Sequence, residues 1–276
     1  MTMYASIPAH ARLPINHCNL PAAILGSQRF QLSPTRLLID GVLELHKVLF
    51  DDLQTITSAE LRAVIFDDYM RSCFLLDHPE QAGLKPGQKK YRREKADYLR
   101  LLRGWFFNPD GREAAVLKSW VESRFGLLVR NHEGPLEDYH GLNYQHFLAD
   151  RAEGLYNSNA LESQLDLLYS FCQFELQLRH PQDNHYSLYR GTNKLSDYET
   201  LDLTARKFPV ILLNNLNSFT DNRERADEFG DTVFEASIPL AKILYFPGLL
   251  PGVLKGEDEY LVLGGVYSIS ICEPVF

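Results

Sequence analysis

Pro209-Val210-Ile211-Leu212-Leu213-Asn214-Asn215-Leu216-Asn217-Ser218 opens on a β-branched and aliphatic run and closes on polar residues, the pattern of a short strand. This stretch decides the fold class because everything around it is written the same way. After about residue 185, short β-branched and aromatic runs alternate with turn residues. That predicts strands near 186–190, 209–218, 231–238, 241–246, 258–263 and 266–272, with one short helix near 222–229. Upstream, from about residue 35 to residue 180, apolar residues recur instead at helical spacing.

Three upstream segments keep that phase clearly. Ser58 caps a predicted helix in which Leu61, Val64, Ile65, Tyr69, Cys73 and Leu76 form one apolar stripe. Tyr98, Leu101, Leu102 and Trp105 stand at i, i+3, i+4 and i+7 of a second. A third runs from Ser158 through Leu161, Leu165, Leu168, Cys172 and Leu176 and stops before His180-Pro181. Further helices are predicted near 36–49, 112–125 and 143–153, and the connectors Leu84–Gly87, Asn108–Gly111 and Asn131–Pro135 are rich in Pro, Gly and Asn. Helices first and strands second predict an α+β architecture. A mainly helical N-terminal region, 1–184, packs beside a mostly antiparallel β-rich core, 185–276.

Composition removes several function classes. The chain has 276 residues, 45% hydrophobic and 23% charged, which fits a globular protein and neither a disordered nor a fibrous one. Its 28 Lys and Arg against 36 Asp and Glu give a net charge of -8, the wrong sign for neutralising a phosphate backbone, so no nucleic-acid partner is expected. Cys18, Cys73, Cys172 and Cys272 form no CxxC and stand near no His pair at ligand spacing, so they read as reduced, mostly buried thiols and no metal is expected. The first 30 residues build no signal-peptide core and no run of 18 apolar residues occurs, which predicts a cytoplasmic protein without membrane insertion. Against this acidic background, 8 of the 28 basic residues fall within 19 positions, from Lys85 through Lys89, Lys90, Arg92, Arg93 and Lys95 to Arg100 and Arg103. That run reads as a solvated helix face or as a docking surface for an acidic protein partner.

Three features of the C-terminal third use the side chains needed to hold a dinucleotide and cleave a glycosidic bond. In Leu188-Tyr189-Arg190-Gly191-Thr192 a guanidinium beside a glycine can clamp a phosphate while bare backbone approaches the ligand; an Arg at a strand end also serves simply as a surface residue. In Asn217-Ser218-Phe219-Thr220 an extended chain points the two hydroxyls one way and Phe219 the other, either to brace a carboxylate or merely to end a strand before the helix cap at Asn222. In Gly256-Glu257-Asp258-Glu259-Tyr260 two carboxylates share one side, with α-carbons about 7 Å apart. Such a pair is either an acidic turn in water or the means to steady an oxocarbenium-like centre and assist proton removal.

Taken in this order, Arg190, then Ser218-Phe219-Thr220, then Glu257-Asp258-Glu259, the chain resembles the R-S-E class of mono-ADP-ribosyltransferases. Two carboxylates in the last motif resemble the arginine-modifying branch. Ile15-Asn16-His17-Cys18-Asn19-Leu20-Pro21-Ala22, Ile24-Leu25-Gly26-Ser27 and Leu38-Ile39-Asp40-Gly41-Val42 are similar to the NAD-dependent dinitrogenase reductase ADP-ribosyltransferases of nitrogen-fixing bacteria, so the likeness spans nearly the whole chain.

The resemblance implies transfer of ADP-ribose from NAD to an arginine of dinitrogenase reductase, the nitrogenase iron protein, which switches nitrogenase off. It also implies control by a PII-type nitrogen-signalling protein. Carried over residue by residue, it makes Arg190 the holder of the NAD phosphates, with Gly191 letting the nicotinamide amide reach backbone groups and Thr192 in the same cofactor-binding motif. Ser218 positions Glu259 or the nicotinamide ribose, Thr220 supports it, and Phe219 stacks or packs. Glu259 binds the ribose hydroxyls and stabilises the charge that builds as nicotinamide leaves, and Glu257 engages the acceptor guanidinium. The middle motif reads Ser-Phe-Thr where many members have Ser-Thr-Ser, so a central hydroxyl is missing. A Rossmann redox reading fails, because no GxGxxG follows a strand. Two other readings stay open: a transferase with a different protein acceptor, and a catalytically silent NAD-binding or protein-binding module of the same fold.

Overall fold

A computed structural model describes residues 4–77, 97–155, 160–202, 208–252, 254 and 258–273. Ser158, Glu257 and the basic stretch from Lys85 to Lys95 lie outside the described residues.

The described helices are α1 (Ala22–Leu25), α2 (Gln28–Leu32), α3 (Val42–Leu45), α4 (Lys47–Gln54), α5 (Ala59–Phe74), α6 (Tyr98–Phe107), α7 (Arg112–Phe125), α8 (Leu142–Gly154), α9 (Ala160–Arg179) and α10 (Arg223–Asp227). The strands are β1 (His185–Thr192), β2 (Glu199–Asp202), β3 (Val210–Phe219), β4 (Thr232–Pro239), β5 (Ile243–Tyr245) and β6 (Tyr260–Ile271). They form one antiparallel sheet in the order β1-β4-β6-β3-β2, with β5 on β6 off that path. The architecture is α+β. Residues on both sides of position 184, among them Phe66, Leu102, Phe171, Leu216 and Leu263, share one hydrophobic core.

Two of the three predicted helices bury the faces their spacing indicates. On α6, Tyr98, Leu101, Leu102 and Trp105 are all buried, behind an Asp97 cap that accepts from Leu99 N at 2.8 Å. On α9, Leu161, Leu165, Leu168, Cys172 and Leu176 are buried, and Gln173 donates to the Leu240 and Ile243 carbonyls at 3.0 and 2.8 Å, stitching the helix to β5.

Helix α5 has its Ser58 cap, yet its buried face differs from the predicted stripe. Leu61 and Val64 are 50% and 55% exposed and Cys73 is exposed, while Arg62, Ala63, Phe66 and Met70 face inward. The cause is a buried ion pair at the centre of the true face. Arg62 meets Glu175 of α9 in a two-pronged contact, Nη2 to Oε2 at 3.0 Å, and caps the Ile56 and Thr57 carbonyls. A rule that places charge outside cannot find such a face. Of the four cysteines, Cys18 and Cys172 are buried, Cys272 is half-buried and Cys73 is exposed, so only two of them fit the mostly buried reading.

Other boundaries move for local reasons. The segment near 36–49 forms α3 and α4 in succession, broken at His46. The two strands predicted at 258–263 and 266–272 are one strand, β6, running through Gly264-Gly265. The glycines do not end it: Gly264 leaves room for a bulge in β3, and Gly265, at a φ of +112°, lies against the Gly26 backbone. A side chain at Gly264 would stand 1.6 Å from the Asn214 carbonyl oxygen, where the β3–β6 register shifts between Leu213 and Leu216. The bulge carries Asn214 and Asn215 against the chain that leaves α7. Asn214 Oδ1 accepts from Arg130 N at 2.9 Å, and Asn215 Nδ2 donates to the Lys118 and Leu127 carbonyls at 2.7 and 3.2 Å. These bonds fix the helical half against β3.

Candidate active site

Strand β1 pairs with β4 along its length, and its Tyr189 also forms a two-bond bridge to Thr220 beyond β3, at 2.7 and 2.9 Å. That bridge closes the circuit β1-β4-β6-β3 and sets Arg190 beside Ser218. The Arg190 guanidinium donates from Nη1 to the Ser218 carbonyl at 2.7 Å and from Nε to Tyr198 Oη at 3.1 Å. On the other side of β3, the register Ser218 to Leu261 and Phe219 to Tyr260 brings the start of β6, and with it half-buried Glu259, alongside the same residues.

Trp105 joins the hydroxyl and the carboxylate. Its indole N–H lies 2.9 Å from Ser218 Oγ and 3.2 Å from Glu259 Oε1. The side chain is 2% exposed on the inner face of α6. From sequence it reads only as part of a core stripe, and nothing in its spacing marks it as a partner of residues 113 and 154 positions away. An indole is a body for the core and a donor that seeks a partner, which was the one available hint.

Around these groups opens a cleft of about 900 Å³, lined among others by Trp105, Lys118, Arg190, Ser218, Thr220 and Glu259. That is the upper range of ligand sites and ample for a dinucleotide. Thr192 lies on its wall and is buried, with Oγ1 donating to the Lys194 carbonyl at 3.4 Å. Thr220 is also buried, and its hydroxyl accepts from Asn222 N at 3.2 Å, holding the turn into α10 that Asn222 caps. The ring of Phe219 points the other way, 2% exposed and edge-on to Phe234 at 6.1 Å between centroids, so position 219 presents its side chain to the core. Gly191 sits where α10 passes closest, and a Cβ there would stand 2.0 Å from the Ala226 carbonyl oxygen.

Behind the Trp105 ring lies a cationic network. Lys118 Nζ is 5.8 Å from the ring centroid and donates to Asp110 Oδ1 at 2.7 Å, the Asn131 carbonyl at 3.0 Å and His132 Nδ1 at 3.3 Å. Burial pulls the Lys118 ammonium below its ordinary range, against the upward pull of Asp110. Burial and then the Lys118 charge lower His132 as well, so its neutral ring accepts at Nδ1 and donates from Nε2 to Asp150 at 3.3 Å. No group of three His, Cys, Asp or Glu that could hold a metal occurs among the described residues, nor a helix long and apolar enough to cross a membrane.

An arginine of β1, a hydroxyl of β3 and a carboxylate at the entry to β6, brought onto one cleft, are side chains of the kind that glycosyl transfer from a dinucleotide uses. The comparisons with known proteins point the same way. The family model described as dinitrogenase reductase ADP-ribosyltransferase matches residues 15–271, and the chain belongs to that family. It is similar to an NAD(+)–dinitrogen-reductase ADP-D-ribosyltransferase of Rhodospirillum rubrum, 38% identical over 258 residues, covering 92% of this chain and 93% of the relative. No solved structure matches the chain.

Proposed function

We propose that the protein transfers the ADP-ribosyl group of NAD to an arginine of dinitrogenase reductase and thereby switches nitrogenase off. Family membership and the named activity of the R. rubrum relative support the reaction and the acceptor. The observation that carries the site assignment is the shared indole donor, which holds Ser218 Oγ and Glu259 Oε1 together beside the anchored Arg190 guanidinium.

In this reading NAD lies in the cleft with a phosphate on Arg190, whose remaining N–H groups are donors of the right charge. Gly191 and Thr192 bring backbone close to the nicotinamide amide. Ser218 and Glu259 face the nicotinamide ribose. As the bond from C1′ to the nicotinamide nitrogen breaks, its electron pair leaves with nicotinamide and positive charge builds on the ribose, where the Glu259 carboxylate stabilises it. An acceptor guanidinium nitrogen then bonds to C1′ and gives up a proton, with Glu257 as the group that orients it and takes the proton. Water in place of the guanidinium gives simple hydrolysis of NAD. Thr220 supports Ser218 through the turn it holds.

We assign acceptor recognition and regulation to the helical region 1–184 and the NAD chemistry to 185–276, with Trp105 reaching across. The acceptor docks over the mouth of the cleft, where the Phe107 ring stands 92% exposed on the rim. A PII-type signalling protein is the regulator in this reading, and the cytoplasm is where the protein acts.

Incubation with labelled NAD and purified dinitrogenase reductase tests the function. Label on a single arginine of the acceptor is the expected result. Label on other proteins alone indicates a different acceptor, and NAD binding without transfer or hydrolysis indicates a silent module; either outcome overturns the proposal.

A further inference from the structure

We infer that Trp105 is a positioning residue for the transfer reaction: its indole N–H orients the Ser218 hydroxyl and holds Glu259 in its ionised, ribose-facing state. The inference rests on the assignment of Glu259 as the charge-stabilising carboxylate and adds to it a residue of the helical half. The three motifs that mark the site include none from that half.

The geometry carries it. An indole nitrogen donates and never accepts. Its single proton lies between Ser218 Oγ at 2.9 Å and Glu259 Oε1 at 3.2 Å, so both oxygens act as acceptors toward it. Ser218 Oγ, already accepting, has its own proton left to give to Glu259 or to the ribose, and the carboxylate has its Oε1 anchored. A donor aimed at the charged form of a carboxylate favours that form, and does so most where water is excluded.

The indole itself is buried. Leu101 and Leu102 of the same helix are fully buried, and the ring is 2% exposed. Lys118 Nζ approaches to 5.8 Å from the ring centroid, fixed there by Asp110, the Asn131 carbonyl and His132. A cation over an indole draws electron density from the ring and makes the N–H a better donor. Lys118 is thereby coupled to Glu259 through Trp105 without touching it. The donor thus arrives preorganised, as a group that stabilises a developing charge must.

The test replaces the N–H and little else. Substituting Trp105 with 3-benzothienylalanine exchanges the N–H for a sulfur in a ring of nearly the same shape, and Trp105→Phe is a second donor-free variant. NAD hydrolysis without acceptor is followed across pH for both, beside wild type and Glu259→Gln. Loss of one such donor should lower kcat roughly tenfold to a hundredfold. The KM for NAD should stay within about threefold, because the phosphate clamp on Arg190 is intact. The acidic limb of the kcat profile should move to higher pH as the carboxylate loses a donor to its charged form. A purely structural role would change thermal stability and KM and leave that limb in place. If Glu259→Gln abolishes hydrolysis while the benzothienyl variant keeps wild-type kcat and an unmoved acidic limb, the role of Trp105 is wrong and that of Glu259 stands. If Glu259→Gln still hydrolyses NAD at the wild-type rate, the carboxylate assignment fails, and the inference with it.

Discussion

The Arg190 guanidinium donates to the main-chain carbonyl of Ser218 at 2.7 Å, so the first and second sequence motifs are joined through backbone. The same guanidinium takes a second partner in Tyr198 Oη at 3.1 Å. Its plane is therefore set before any ligand arrives. A lysine carries the charge but not the fork. Arg190→Lys should raise the KM for NAD at least roughly tenfold with a smaller effect on kcat, since the lost contacts bind substrate and transition state alike. Steady-state hydrolysis kinetics check this, and a fall in kcat at unchanged KM would contradict it.

Gly191 is required by packing whether or not NAD is bound. Its missing Cβ leaves room for the Ala226 carbonyl and the nearby Gly230 nitrogen. Gly191→Ala should displace α10 and destabilise the free protein by about 1–3 kcal/mol. Urea unfolding without NAD measures it, and unchanged stability would contradict the close approach.

The buried pair between Arg62 and Glu175 makes a second stability prediction. Glu175 is fully buried and is also contacted by Arg179 Nε at 2.9 Å. Arg62→Ala leaves that carboxylate short of its main partner and should cost about 3–5 kcal/mol, whereas a paired replacement of both residues by Met should recover most of the loss. Equal destabilisation by the single and the paired variant would refute the ion-pair account.

Lys242 is fully buried, donates to the Gly264 carbonyl at 2.8 Å and lies over the Tyr267 ring at 4.6 Å. Burial pulls its ammonium from 10.5 down to about 7. Between those values the unfolded chain holds a proton that the folded chain lacks, so stability rises with pH across that window and the full cost of the charge is felt below it. Compared with Lys242→Met, wild type should gain roughly 1.4 kcal/mol per pH unit from about pH 7 toward pH 10. Parallel stability curves for the two proteins would contradict it.

Much of this molecule is written locally, and the exceptions are long-range. The apolar stripes of α6 and α9 are the faces that become buried, although α9 also buries Gln164, Gln173 and Glu175 beside its stripe. The α5 stripe misleads because Arg62 finds its carboxylate 113 positions away. Gly264-Gly265 reads as a strand boundary, whereas Gly264 is the space into which β3 bulges and Gly265 lies against Gly26. At the site, alternation along an extended strand separates Ser218 from Phe219, and the structure turns the Phe219 ring onto Phe234. Trp105 carries no sequence mark of its bond to Glu259, because helical spacing reports which face is buried and is silent about what the buried face touches.

The central claim is that Glu259 stabilises the ribosyl cation and Glu257 serves the acceptor. It is tested most directly by measuring both NAD hydrolysis and transfer to dinitrogenase reductase for Glu259→Gln and Glu257→Gln. Glu259→Gln should lose both activities, by at least about a hundredfold, while Glu257→Gln should keep hydrolysis and lose transfer. Transfer surviving in Glu259→Gln, or hydrolysis and transfer falling together in Glu257→Gln, would contradict it.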